Sequence, residues 1–190
     1  MRRTISAILL ILSSMIFAEV FVSFNSSLGF SWYSEVYATD KKQIRAITDY
    51  GMDIKFEYGL LRGLRMGVDF SLLNMSIATE IDSVNTNLIC MGLSPSFTFD
   101  LLDITSQVSG GVSFVLFGPT GSLAGFGLSG TGNFQGWVYH GQVDFLWELS
   151  DQFSVGFGFG VRFHDLSIPA RNVSVRSLSV PVSLKLGYKF

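Results

Sequence analysis

The chain has 190 residues, 13 basic and 15 acidic, for a formal net charge of −2, and this length suits one domain. With 15% charged and 14% aromatic residues, including 18 Phe and 20 Gly, it is poorer in charge and richer in rings than a water-soluble chain of this size, and the lack of a basic patch argues against nucleic acid as a partner. Its one cysteine, Cys90, excludes an internal disulfide, and no Cys/His spacing fits a zinc site, so neither a metal nor another cofactor is expected.

The first element, residues 1–18, reads "MRRTISAILLILSSMIFA". Arg2 and Arg3 precede a largely apolar, uncharged run from Ile5 to Ile16, and compact residues lead to Ala18. These are the proportions of a secretory signal peptide, and the run is too short for a spanning helix of about 20 residues. Cleavage after Ala18 is expected, with residues 19–190 as the exported domain. Removing the two arginines leaves 11 basic against 15 acidic residues, a net of −4.

From Glu19 onward the hydropathy alternates with period two. Val20, Val22, Phe24, Leu28, Phe30 and Trp32 are interleaved with Glu19, Ser23, Asn25, Ser27 and Ser31. Ile44, Met52, Ile54, Phe56 and Tyr58 are likewise interleaved with Arg45, Asp49, Asp53, Lys55 and Glu57. Side chains of a strand alternate between its faces, so each stretch has one greasy side and one wet side. Eight such stretches are predicted, near 19–36, 43–60, 64–75, 85–99, 104–117, 133–148, 153–165 and 173–190. The connections around 61–63, 100–103 and 149–152 are tight. Those around 37–42, 76–84, 118–132 and 166–172 are longer. Pro95 and Pro181 lack a ladder donor, and a bulge is expected near either.

Alternation alone does not say whether the apolar face looks inward, as in a soluble barrel, or outward to lipid. Strand length separates the two, because most of these stretches exceed the roughly 5–6 residues usual in soluble sheets and the roughly 9–11 needed to cross a bilayer. Aromatic placement also separates them. Tyr58, Phe99, Trp147, Phe153, Tyr188 and Phe190 lie near the tight-turn end, and Trp32, Trp137, Tyr139 and Phe163 near the other, as two interfacial belts would. Tyr50 falls mid-strand, outside either belt. The apolar face carries no charge until Arg176 at its rim. Unpaired strand edges are costly in lipid, so the eighth strand should pair with the first. The predicted fold is an all-β, eight-stranded, antiparallel, up-and-down transmembrane β-barrel.

The last stretch, "VPVSLKLGYKF", ends on Phe190, preceded by Tyr188, Leu186, Leu184 and Val182 at every second position. It resembles the C-terminal signal of bacterial outer-membrane β-barrel proteins. With the signal peptide and eight strands, the whole mature chain resembles the small eight-stranded barrels of the OmpX, OmpA-transmembrane and OmpW type. The resemblance implies residence in the bacterial outer membrane, contact with its lipid, and delivery by periplasmic chaperones to the barrel-assembly machinery, which would read Leu184, Leu186, Tyr188 and Phe190. It implies a structural or surface-interaction role: envelope integrity, or adhesion through long extracellular loops. A narrow channel for small or apolar solutes is the alternative.

Eight strands enclose a space that side chains can fill. The inward positions place an interior charge network of Arg45, Asp49, Asp53, Lys55, Glu57, Arg65, Asp69 and Lys185, joined by His140, Gln142, Asp144, Glu148, Arg162 and His164. A three-residue loop, Leu61-Arg62-Gly63, would set residue 60 opposite 64 and Lys55 opposite Asp69, and a cross-strand ion pair is expected there. In "FSVGFGFGVRF", Gly156, Gly158 and Gly160 face inward, where they either make room for charged side chains of the opposite wall or relieve curvature.

No catalytic site is expected. Some barrels of this size are lipid A deacylases with a His and a Ser two residues apart, whereas His164 and Ser167 are three apart, with His164 facing inward. His140 and Asp144 share a face and are expected in a hydrogen-bonded network. The segment "GPTGSLAGFGLSGTGN", residues 118–133, matches no phosphate-binding fingerprint. Its composition predicts a mobile surface loop, with docking of Leu123, Phe126 and Leu128 on the barrel mouth or a partner as the alternative.

Overall fold

A computed structural model describes residues 19–38, 41–79, 83–101 and 104–190. Residues 1–18, with the expected signal peptide, lie outside the described residues. Nine strands run β1 Val20–Ala38, β2 Lys41–Ile44, β3 Ile47–Leu61, β4 Leu64–Ala78, β5 Ser83–Leu101, β6 Ile104–Phe117, β7 Gln135–Glu148, β8 Phe153–Ile168 and β9 Val173–Lys189. All neighbours are antiparallel, and β1 pairs with both β3 and β9, closing a ring of eight. The short β2 pairs only with the far end of β1. Closure leaves the eight-stranded ring without a free edge, which a sheet in hydrocarbon requires. The expected second stretch is therefore broken: Arg45 and Ala46 form a connector between β2 and β3.

Phe157, Ile54 and Leu184 are 42%, 44% and 69% exposed, so the apolar face looks outward. On β1 the outward run is Val20–Phe30, on β3 Tyr50–Leu60, on β8 Phe153–Phe163 and on β9 Leu178–Tyr188. Each covers ten residue steps, about 33 Å at 3.3 Å per residue. With a strand tilt of about 40° the belt is about 25 Å tall, the height of a lipid-facing band. Tyr50 heads the outward run of β3, with Thr48 beyond it, so it belongs to the upper aromatic belt after all. Ser26, the polar member of the β1 run, donates to the Tyr50 hydroxyl at 3.3 Å.

Above this belt the polarity of the wall inverts. On β4, Leu73, Met75 and Ile77 point inward and are at most 1% exposed, while Asn74 and Ser76 point outward. On β5, Val84, Leu88 and Cys90 are buried inside, and Asn87 outside bonds Asn74 at 2.7 Å. The same switch puts Leu166 and Ile168 of β8 and Val173 and Val175 of β9 inside, with Asp165 and Arg176 paired at 3.1 Å outside. The strands thus run past the bilayer into water, where a soluble-type core becomes favourable.

Among the described residues three bulges adjust the wall, none of them at a proline. They fall between Ser31 and Tyr33, between Gly59 and Leu61, and between Ile89 and Cys90. The first reverses the parity of β1, so that Val36 and Ala38 point in and Tyr37 out. Near Pro95 and Pro181 the β5–β6 and β8–β9 ladders are interrupted without a change of register. The first tight turn differs from expectation in the same way: Arg62 and Gly63 alone form its tip, Leu61 pairs with Leu64, and Leu60 is bulged out. Gly63 takes a φ of 78°, the left-handed conformation such a tip needs. Beyond the bulge the register is the expected one, with Lys55 opposite Asp69.

The connections at the wide end are shorter than expected, because β1 reaches Ala38, β4 reaches Ala78 and β8 reaches Ile168. The β6–β7 segment alone is long, and it folds inward. Leu123, Phe126 and Phe134 are 0%, 3% and 0% exposed and join the upper core. Backbone bonds hold the segment as a narrow ladder: Phe134 N–H to Gly118 O at 2.6 Å, Thr120 N–H to Gly132 O at 2.9 Å and Leu123 N–H to Gly130 O at 2.9 Å. Thr86 of β5 donates to Pro119 O at 2.9 Å, tying it to the wall. Its glycines and serines carry little surface of their own, and docking of three large apolar side chains supplies the order.

Candidate functional site

The site is the barrel lumen, which is built in layers. At the tight-turn end Phe21 and Leu146 form an apolar floor, and the Arg65 guanidinium lies 4.6 Å above the Phe21 ring. That contact keeps Arg65 at the floor, apart from the charges higher in the lumen.

Above the floor, inward parity on β3, β7 and β9 brings the charged side chains together. Lys55 Nζ lies 2.9 Å from Glu57, its neighbour two residues along β3, rather than bridging to Asp69 as expected. Glu57 also accepts from Ser96 at 2.5 Å and from Gln107 at 2.9 Å. Glu57 thus holds the ammonium among three donors, and Asp69, opposite Lys55 in register, accepts from Ser113 instead. Lys185 reaches Asp144 at 2.8 Å and also donates to Gln107. Gln142 donates to Asp144 and to Ser183, the latter at 2.9 Å.

Higher on the wall, Arg162 meets Asp49 at 2.6 Å and donates to Ser27 at 3.1 Å. Ser179 gives Asp49 a second donor at 2.7 Å, and His164 Nδ1 lies 3.0 Å from Ser177. Asp53 is 3.9 Å from Arg162, and Asp69 accepts from Ser113 at 2.8 Å. The structure therefore gathers Asp49, Asp53, Lys55, Glu57, Asp69 and Lys185 in the lumen, while Arg45 sits in the β2–β3 connector and Arg65 on the floor. Gln107, which bridges Glu57 and Lys185, has no counterpart among the sequence-derived candidates; its inward position on β6 was the only signal. Arg162 and Asp144 were legible as inward residues, but not as the partners of Asp49 and Lys185.

Gly156, Gly158 and Gly160 face inward, but what they accommodate lies beside them. A Cβ on Gly158 would strike the Asp144 carboxylate and come within 2.9 Å of Ser183 Oγ, whereas one on Gly156 or Gly160 would strike backbone carbonyls of β7. No side chain of the opposite wall is among these neighbours.

Two candidate chemistries lack their geometry. His164 is fully buried in the lumen and Ser167, of opposite parity, is not on its face. Asp144, the suggested partner of His140, is committed to Lys185. Among the described residues, no three His, Cys, Asp or Glu side chains form a metal-binding group.

The terminal residues face the other way. Leu184, Leu186 and Tyr188 line the outer wall of β9, and Phe190 is 73% exposed, edge-on to Tyr188 with ring centres 4.8 Å apart.

The sequence matches no protein-family model and no curated protein. Solved structures do match it. OprG of Pseudomonas aeruginosa superposes with a TM-score of 0.60 at 12% identity, over 90% of this chain and 95% of that one. Neisserial surface protein A gives 0.52 at 12%, over 86% and 95%. Ail, the attachment invasion locus protein of Yersinia pestis, solved with the heparin analogue sucrose octasulfate, gives 0.50 at 14%, over 91% and 99%. An apolar belt of bilayer height, a ring of eight strands and these neighbours agree: the chain has the fold of the small eight-stranded outer-membrane β-barrels.

Proposed function

We propose that this protein is a non-conducting resident of the outer membrane whose role is structural, a contribution to envelope integrity. The observation that carries this reading is the closure of the lumen: Leu123, Phe126 and Phe134 fill the wide end over a layer of paired charges. A dry apolar plug gives ions and polar solutes no solvated path. Adhesion through long loops is less well supported, because the one long segment is tucked into the mouth rather than projecting from it. An enzymatic role finds no support in the placement of His140 and His164. Export by a signal peptide at residues 1–18, and recognition of the Leu184–Phe190 strand by the assembly machinery, belong to the same reading.

Reconstitution in planar bilayers and in solute-loaded liposomes tests it. The expected result is no conductance steps and no flux of small polar or apolar solutes, together with detergent sensitivity of cells that lack the protein. Steady flux through the intact barrel would replace this reading with the narrow channel.

A further inference from the structure

Between the paired charges and the apolar upper core lies a small cavity of about 40 Å³. Lys55, Asp69 and Lys185 line its charged side, and Leu73, Cys90 and Val138 its apolar side. The charges around it do not balance. Each interior base has one acid in close contact: Lys55 has Glu57 at 2.9 Å, Lys185 has Asp144 at 2.8 Å and Arg162 has Asp49 at 2.6 Å. Asp53 and Asp69 are left over, and both line the cavity. Asp53 has only the 3.9 Å approach of Arg162. Asp69 is 4% exposed, and the oxygen that does not bond Ser113 meets no protein donor. A buried carboxylate without a counter-charge is strongly disfavoured.

A second observation is independent of the acids. Asn25 Oδ1 and Ser94 Oγ also have no protein partner; their residues are 7% and 0% exposed, and both line the same cavity. Strand register sets Asn25 beside Asp53 and Asp53 beside Ser71, a continuous polar row across β1, β3 and β4, with Asp69 one step along. Carboxylate, amide and hydroxyl oxygens from several strands thus face one space. Oxygen donors of this kind suit a hard cation. The lack of a three-ligand group among the described residues disfavours a divalent centre and favours a singly charged ion that keeps part of its water.

We propose that this cavity is a binding site for a small monovalent cation of the sodium or potassium class, held by Asp69 and Asp53 with Asn25 and Ser94, which offsets one of the two surplus charges of the lumen. The ion enters before the plug closes, so it belongs to the folded barrel rather than to a conduction path. The other carrier of positive charge open to the cavity is His140, which also lines it.

The full mature chain is refolded in detergent in sodium or potassium chloride, and in N-methylglucamine chloride at equal ionic strength. The midpoint of heat unfolding is then read from the gel-mobility shift. The expected result is a higher midpoint in sodium or potassium, with the difference abolished in Asp69→Asn. Equal midpoints in all three salts, or a difference that survives Asp69→Asn, overturn the site. If Asp69→Asn does not fold, crystals of the natural chain grown in rubidium or thallium salt decide. An anomalous peak beside Asp69 supports the site, and its absence there overturns it. A midpoint indifferent to the cation, but dependent on pH through His140 and insensitive to pH in His140→Gln, assigns the counter-charge to a proton and also overturns the site.

Discussion

Asp144 on β7 and Lys185 on β9 form a 2.8 Å ion pair although β8 runs between them. The pair exists because the residue of β8 opposite Asp144 is Gly158. Without a side chain there, the carboxylate lies across the strand. Gly158→Leu is therefore expected to expel Asp144 from the pair and crowd Ser183, at a cost of about 1–3 kcal/mol or more for overpacking. The heat-resistant, fast-migrating form on gels should be lost or reduced. Unchanged folding of the variant would show that the pair does not need that gap.

Removing one member of the same pair should be worse than removing both. Lys185→Met strands the Asp144 carboxylate in a buried site and is expected to destabilise by about 3–5 kcal/mol. The double variant Lys185→Met/Asp144→Leu should recover much of that loss. Urea unfolding midpoints of the two single variants and the double variant, refolded in the same detergent, measure the coupling.

Phe126 decides between a docked and a mobile loop. Buried at 3% exposure in the upper core, it should cost about 3–5 kcal/mol as Phe126→Ala, whereas a mobile loop would lose almost nothing. Limited proteolysis gives the same information: the 118–133 segment should resist cleavage in the natural chain and become cleavable in the variant.

The height of the lipid belt is testable by placing arginine at two outward positions of β9. Leu184, near the middle of the belt, should cost about 2–4 kcal/mol as Leu184→Arg. Ser174, outward on the same strand but above the belt, should accept Ser174→Arg with little change. Equal effects of the two substitutions on folding into liposomes would place the bilayer elsewhere on the wall.

Deletion of Phe190 separates assembly from stability. Its ring is largely exposed and only its N–H ties the seam, bonding Val20 O at 3.0 Å. The truncated chain is expected to refold in detergent with nearly the natural midpoint, while its insertion in cells slows. A large loss of stability in vitro would make Phe190 a structural residue instead.

Much of this barrel was legible because a strand alternates its side chains with period two. Residues 20–30, 50–60, 153–163 and 178–188 carried their outward faces openly in the chain, and the Lys55–Asp69 register followed from turn length and parity. The same periodicity could not disclose the inversion above the belt, because polar-out and polar-in strands share one pattern; Leu88 and Cys90, apolar on the supposedly wet face of β5, were its visible trace. Bulges at Ser31–Tyr33 and Ile89–Cys90 were unreadable because no proline or other local signal marks them.

What the sequence by itself determined is which residues share a face, how long the strands are and where the chain turns, since these depend on neighbours along the chain. Only the tertiary structure decided which carboxylate holds Lys55, that Asp144 reaches Lys185 across Gly158, and that Leu123, Phe126 and Phe134 close the mouth. Those outcomes are competitions between groups far apart in sequence. They are settled by which donors, acceptors and apolar surfaces the closed ring brings within reach of one another.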